Sequence, residues 1–548
     1  MIQKIIISIG FMGWLIVAQA QSTISVIPKP VEVKVLNTYD SKFIELDKNS
    51  FICYPEEFTM QAKYLQEHIY LQTGIMLTLK LCNDWQKADR KGILLRIDTS
   101  ANDESYILFV EDPHLFRRIQ ISARTVRGFI NAFQTLFQVI PIGKQTKIKV
   151  PVIYIYDYPQ FRYRGMHLDV VRHIFPVEYI KKYIDYLTFH KFNTFHWHLT
   201  DDQGWRFETS SYPKLNSIGS WRDSTLIGHF KTTPARYDGK RYGGYYTKAE
   251  IKEILEYAKV RGITVIPELD IPGHSRAAIA AYPQLSTKPD TTWNVATTWG
   301  MYNRQNNVLA PNDFTFQFLK DIFKELTDLF PSTYIHIGGD ECSKLWWKQD
   351  AKTQAFIKQN KLKDEVALQT YFIEYVAKQL KQMNRKTVGW HEITEGDVDT
   401  SALIMNWADD AKALSAAKKG FSIIMTPGKP FYFDHYQSKD PNDSLAIHGY
   451  NSTEAVYNYQ IIPDALKKAG LAHKIIGGQG NVWTEYMEWS TKVDYMIFPR
   501  MTALSENLWS KNKNYSDFIK RLDVVMIPRY EFWNSSYFKD YKVWGKDK

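Results

Sequence analysis

From residue 163 onward the chain alternates short apolar runs with amphipathic stretches, and that rhythm leaves few folds open. The runs 163–170, 192–199, 263–270, 334–341, 386–392, 402–407, 422–427 and 475–483 read as strands. Helical patterns lie between most of them, among them 177–190, 248–261, 313–329 and 366–383. Strands that each feed a helix pair in parallel, with helices covering the sheet. Eight such units predict an α/β chain whose main domain is a (β/α)8 TIM barrel. A doubly wound open sheet is the alternative, but no Gly-rich phosphate fingerprint follows the first strand.

Residues 21–155 behave differently. The alternating runs 92–97 and 105–110 read as strands, and 125–140 as a helix with Phe129, Phe133, Leu136, Phe137 and Ile140 on one stripe. This predicts a small α+β domain, with the boundary at 156–161, punctuated by Pro159, and the barrel filling 156–548. Residues 1–20 read as an export leader: Lys4, an apolar stretch, then Ala18-Gln19-Ala20 as the cleavage signal. The apolar stretch is short for a membrane span, no comparable run follows, and no Cys stands at the cleavage site to take a lipid. The expectation is an exported protein without a membrane span, whether periplasmic, surface-held or released.

The three cysteines are too few for a disulfide scaffold; Cys53 and Cys82 are available to pair, and the sequence leaves that open. The net charge of +10 is spread along the chain, and no nucleic-acid motif accompanies it. With 16 Trp, 34 Tyr and 30 Phe, the composition fits a protein that stacks ring-shaped ligands, as it fits a large aromatic core. Oligomeric state is not legible.

In a barrel, chemistry gathers at the C-terminal strand ends. Here those ends carry Asp169 and Arg172, His198 with Asp201-Asp202, Glu268 with Asp270 and His274, and Asp340-Glu341. Trp390-His391-Glu392, Trp407 with Asp409, and Trp483 with Glu485 continue the series. Metal hydrolysis is one reading, since His196 and His198 share a strand face. A dinuclear centre also wants a carbamylated Lys at a later strand end, which is missing, so these two read as packing or orienting groups. Glycoside hydrolysis fits better: a carboxyl protonates the leaving oxygen, and strand-end tryptophans give a pyranose ring walls to stack on. Arg172 and Asp434 suit sugar hydroxyls.

The adjacency of Asp340 and Glu341 narrows the chemistry. A retaining glycosidase ordinarily needs carboxyls about 5–5.5 Å apart on opposite sides of the scissile bond, and an inverting one a wider gap. Neighbours on a strand start about 3.8 Å apart with side chains on opposite faces, poorly placed to flank a bond. A nucleophile supplied by the substrate resolves this. The carbonyl of a 2-acetamido group attacks the anomeric carbon, Glu341 serves as the acid, and Asp340 orients the amide.

These motifs resemble the β-N-acetylhexosaminidases of glycoside hydrolase family twenty. Ile27-Pro28-Lys29-Pro30 and the Gln134-Thr135-Leu136 helix are similar to that family's first domain. Arg164 to His173, His196 to Trp205, Pro267 to His274 and His336 to Glu341 resemble its first four barrel strands, in order. The resemblance implies Glu341 as general acid and base, Asp340 and Tyr432 on the acetamido group, and Arg172, Asp434 and Glu485 on the ring hydroxyls. It implies Trp390, Trp407 and Trp483 as the pocket walls, and Asp201 with His274 as a relay behind Glu341, supported by Asp270. No metal or cofactor is implied. Asp202 reads as the cap of its own turn, and Arg164 as a packing residue.

Val171 departs from the small residue usual before the family's Arg-His, and 219–247 is an enlarged loop after the second strand. Such a loop lies on the active face and shapes what sits beyond the terminal sugar. The stretch after Trp509 leaves no room for a carbohydrate-binding module. The expected activity is exo-acting hydrolysis of terminal β-linked GlcNAc or GalNAc from glycans or chito-oligosaccharides, retaining, through an oxazolinium. The alternatives are a glycan-binding protein on an inactive barrel and a metal-dependent hydrolase.

Overall fold

The computed structural model describes residues 24–36, 42–82, 91–111 and 118–544; the expected leader, 1–20, lies outside them. Eight parallel strands close into a barrel in chain order: β1 (Tyr163–Asp169), β2 (Thr194–His198), β3 (Thr264–Ile271), β4 (Tyr334–Gly338), β5 (Lys386–Trp390), β6 (Leu403–Asn406), β7 (Ser422–Met425) and β8 (Ile475–Gly480). β8 returns to pair with β1, so no edge is left. The helices between them bury one stripe, as Ile180, Ile184 and Leu187 do in Val177–Phe189. Their starts are set locally. Thr247 and Glu250 form a capping box, and the Asn312 and Asp364 side chains accept backbone N–H groups at 2.9 Å.

Inside the barrel, Tyr163, Ile266, Val388, Leu403, Met405 and Ile424 form an apolar plug of their own. Above it the inward positions turn polar: His167, His196, His198, Glu268 and His336 are all fully buried. This polar layer is the platform of the site.

The preceding domain is a seven-stranded mixed sheet with helices Thr59–Thr73 and Val126–Val139, and Cys53, on one strand, forms a disulfide with Cys82, just past the end of the neighbouring strand. It meets the bottom of the barrel through buried charge. Lys191, between a barrel helix and β2, places its ammonium 2.8 Å from Asp157 and from the Tyr106 hydroxyl, and Trp509 donates to Asp157 at 2.9 Å. Arg164, expected only to pack, is 1% exposed and pairs with Glu104 while donating to Lys191 and Phe161 carbonyls. The reason is position: β1 starts where the two domains touch.

Removing one partner of such a buried pair leaves the other uncompensated. Lys191→Met should therefore cost about 3–5 kcal/mol. A guanidinium midpoint equal to that of the wild type would show that Lys191 and Asp157 do not hold the two domains together.

Candidate active site

The top of the barrel is organised by one ionic chain. Glu268, on β3, is surrounded by His196 at 3.1 Å, His336 at 2.9 Å, His198 and the Trp390 indole N–H at 3.0 Å. His198 turns its other nitrogen to Asp201, 2.9 Å away. Asp201 also meets Arg172 Nη2 at 2.7 Å and His274 Nδ1 at 3.0 Å. His274 Nε2 then faces Glu341 at 3.5 Å and Asp340 at 3.9 Å. Burial opposes charge on His198, but Glu268 and Asp201 outweigh it and raise its pKa to about 10. His274 is likewise held protonated, against burial, by Asp201, Asp202 and Glu341. Burial also works against the Asp201 carboxylate, and Arg172 and His274 keep it ionised.

Local backbone puts Asp340 and Glu341 at the outer end of this ionic chain. β3 carries one extra residue against β4 between Glu268 and Ile271, a bulge that lets Asp270 reach the next loop. Asp270 accepts the Gly339 N–H at 3.2 Å. Gly338 and Gly339 have φ of 64° and 90°, and a Cβ on Gly338 would lie 1.7 Å from Asp270 Oδ1. β4 therefore ends at Gly338, and Asp340 and Glu341 stand on a turn rather than on opposite faces of a strand. Both line one cavity and approach His274 from the same side.

The charges on this pair differ from the sequence expectation, in which Glu341 is the protonated member. Burial, with Glu392 and Glu341 nearby, pushes Asp340 up to about 8. The Glu341 side chain is 49% exposed, and its hydrogen bond from His274 lowers its pKa. In the free site the proton sits on Asp340 and Glu341 is ionised.

The cavity has a volume of about 420 Å³. Arg172, Asp201, His274, Trp407, Tyr432, Asp434, Trp483 and Glu485 all line it. Trp390 does not: it is 1% exposed and stands behind the wall, its ring 6.0 Å from Trp483 and its N–H on Glu268. Its place on β5 faces the barrel interior one layer below the mouth. Trp407 is fixed by donating to Glu392 at 3.1 Å, and the Arg172 guanidinium lies 5.2 Å from the Trp483 ring centre. Asp340 Oδ1, Asp434 Oδ1 and Glu485 Oε2 are buried with no hydrogen-bond partner in the protein. Burial raises both Asp434 and Glu485, Arg172 opposing the rise in the latter. Tyr432 is kept a neutral hydroxyl by burial and by Asp434.

Other residues of the site escaped the sequence reading. Gln203 accepts from Arg172 Nε at 2.9 Å and donates to the Thr298 carbonyl, tying Trp299 into the wall. Asp202 does not cap its own turn; it accepts Arg276 N–H at 3.1 Å and Asn307 Nδ2 at 3.0 Å, anchoring the loop that follows β3. Only a long-range fold brings those donors to it. Among the described residues two groups stand at metal-ligand spacing, His167–His196–Glu268 and Asp201–Asp270–His274. Their carboxylate oxygens are already engaged by the histidines, Arg172, Trp390 and Gly339 N–H described above, so these donors serve the ionic chain.

The match to known proteins follows the same two units. Residues 161–512 match the model for "Glycosyl hydrolase family 20, catalytic domain" and residues 23–158 that for "Glycosyl hydrolase family 20, domain 2". The chain belongs to glycosyl hydrolase family 20 and is a glycoside hydrolase. It is 37% identical to a beta-hexosaminidase of Porphyromonas gingivalis over 92% of its length, spanning 63% of that relative. It is 36% identical to a beta-hexosaminidase of Vibrio furnissii, over 88% of this chain and 76% of the other. Among solved structures, the exo beta-N-acetylglucosaminidase of Vibrio harveyi, in complex with N-acetylglucosamine, superposes with a TM-score of 0.82 at 30% identity. That match covers 94% of this chain and 78% of the other.

The Gly338 geometry gives a direct test. Gly338→Ala must displace Asp270 or the loop carrying Asp340 and Glu341, and shifts near 1 Å cost on the order of 10²-fold in turnover. Turnover within a factor of two of wild type would mean that the loop does not set the position of the acids.

Proposed function

We propose that the protein is an exo-acting β-N-acetylhexosaminidase that releases terminal β-linked GlcNAc, and GalNAc, with retention of configuration. The observation that carries this reading is the set of three unpartnered buried carboxylate oxygens, on Asp340, Asp434 and Glu485, facing one cavity beside Trp407, Trp483 and Arg172. Buried polar atoms of this kind are satisfied by a polyhydroxylated ligand, and indole faces by its ring. The names of the relatives support the same activity.

In this reading the substrate carries the nucleophile, since Asp340, next to Glu341 on the same turn, is poorly placed to flank the bond from the other side. The acetamido carbonyl oxygen attacks the anomeric carbon as the glycosidic C–O bond breaks, and Glu341 gives its proton to the leaving oxygen. Asp340, ionised, accepts the N–H of the resulting oxazolinium, and the Tyr432 hydroxyl donates to the former carbonyl oxygen. Water then attacks the anomeric carbon from the departed face, Glu341 takes its proton, and the amide is restored. Arg172, Asp434 and Glu485 hold the ring hydroxyls. The free site has the proton on the wrong member of the pair for this sequence. Substrate corrects it: an amide N–H at Asp340 favours the carboxylate, seating the sugar dries Glu341, and the proton passes to Glu341 beside His274, which adjoins both. The leader-like start and the Cys53–Cys82 disulfide support export to an oxidising compartment.

Paired chromogenic β-glycosides test the nucleophile. The 2-acetamido sugar should be cleaved faster than the 2-hydroxyl sugar by on the order of 10³-fold or more, since only it holds the attacking atom in place. Equal rates would assign the nucleophile to the protein and end the substrate-assisted scheme.

A second expectation concerns pH. The pair must hold one proton, carried by Asp340 below about pH 8 and lost above it, so kcat/KM should fall on an alkaline limb near pH 8. Asp340→Asn removes that titration along with most of the rate. A limb still at pH 8 in this variant would show that another group carries the proton.

A further inference from the structure

The enlarged loop after β2 does more than cover the barrel: it brings an aromatic ring and an unpaired lysine to the mouth of the cavity, where Arg304, from the segment after β3, joins them. The loop folds on itself, Trp221–Arg222 pairing with Tyr242–Gly243 and Leu226–Ile227 with Arg236–Tyr237. Its tip is pinned across the mouth. His229 donates to the Ile447 carbonyl at 2.6 Å and stacks on Tyr486 with an interplanar angle of 5°, while Phe230 N–H donates to the Tyr486 hydroxyl at 3.0 Å. Phe230 is thereby a fixed, half-buried ring, and it lines the cavity with Gly300, Met301, Ile447 and His448. Gly300 leaves room for it: a Cβ there would lie 3.2 Å from the Phe230 ring.

The charge at this rim is of one sign. Lys231 Nζ lies 5.5 Å from the Phe230 ring centre, and the Arg304 guanidinium carbon lies 5.6 Å from it. Both side chains are exposed, and neither forms an ion pair among the described residues. His448, also exposed on the cavity edge, is lowered by burial and then by the charge of Lys231. The carboxylates of the cavity sit beneath this rim. Asp201 is neutralised by Arg172 and His274, the ionised Glu341 stands against the protonated His274, and Asp340, Asp434 and Glu485 are raised toward the uncharged form, so the floor carries little unbalanced negative charge.

We propose that Phe230, Lys231 and Arg304 form a subsite for the sugar next to the scissile bond, and that this subsite selects a ring bearing an anionic substituent. Phe230 stacks the ring and the two cations meet a carboxylate or a sulfate ester on it. The inference rests on the hexosaminidase reading and adds the class of glycan. A pinned aromatic ring suits a pyranose face, and Lys231 and Arg304, 5.5 and 5.6 Å from its centre, favour an anion over a neutral hydroxyl.

The test compares three disaccharides with terminal β-linked GlcNAc: on glucuronate, on 6-sulfated galactose and on neutral galactose. At low salt the wild type should show kcat/KM at least about 5-fold higher for one anionic substrate than for the neutral one, and the ratio should fall as salt screens the rim. The substrate that gains identifies the carboxylate or the sulfate as the source. In Lys231→Ala and Arg304→Ala the ratio should drop by about 2–5-fold each, the scale of an exposed ion pair. Phe230→Ala should raise KM for the disaccharides more than for the methyl glycoside. A wild-type ratio of one, or a ratio untouched by both charge removals, overturns the anionic subsite while leaving the hexosaminidase reading in place. Failure to cleave any of the N-acetylhexosaminides removes that reading, and this subsite with it.

Discussion

Asp201 is the interaction on which the site depends. Its two oxygens take Arg172 from the end of β1, His198 from β2 and His274 from beyond β3. A buried carboxylate is tolerated only when its partners repay the lost hydration. Here those partners come from three successive strands, so the carboxylate is stable only when the strands are in register. The same contacts that close this side of the barrel therefore orient the guanidinium that lines the cavity and the imidazole that faces Glu341. Glu268 extends the arrangement inward through His198. Charges then alternate from the centre of the barrel to its mouth: Glu268, His198, Asp201, His274, Glu341.

That alternation explains why two adjacent carboxyls differ so much. Glu341 lies at the end of the chain of alternating sign, next to a protonated imidazole, and half its side chain meets water; all of this favours the anion. Asp340 is one residue away but faces the dry wall, with Glu392 and Asp270 near it and His274 slightly farther off. Environments that push two neighbouring pKa values apart assign different tasks to chemically similar groups. The free site is thus poised rather than set. The pair holds one proton, on Asp340, with His274 adjoining both carboxyls.

The repeating pattern was legible in the sequence, and the three-dimensional exceptions were not. Seven of the eight barrel strands lie within the run read for them and β3 overruns its own by one residue, because buried parallel strands bounded by helices leave a strong periodic trace. The acids at the strand ends were legible for the same reason. Glu341 shows the limit: glycines at 338 and 339 permit a left-handed turn, but only Asp270, reaching across from β3, requires it. Trp390 shows another. Alternation says that it points inward, not whether it stops in the polar layer or at the mouth. Asp202 and Arg164 were read locally, and both act over long sequence separations, Asp202 on the loop after β3 and Arg164 on the other domain. Such partners leave no periodic mark.

The two ends of the barrel carry different burdens. At the bottom, Lys191, Asp157, Tyr106, Trp509, Arg164 and Glu104 form a buried polar joint with the first domain, far along the strands from the cavity. At the top, buried charges are arranged with oxygens left unpartnered and a cationic rim left unpaired. Satisfied polar groups rigidify a structure, whereas unsatisfied ones cost stability and are kept where a ligand completes them. Stability and recognition are thus separated along the strand direction, as the barrel architecture favours. The tip of the loop after β2 sits on the recognition side, held by contacts to the Ile447 and Tyr486 segments, while its base is tied to the barrel through Tyr246 and Arg206. Its sequence is therefore free to change the neighbouring-sugar preference without disturbing the ionic chain that positions Glu341.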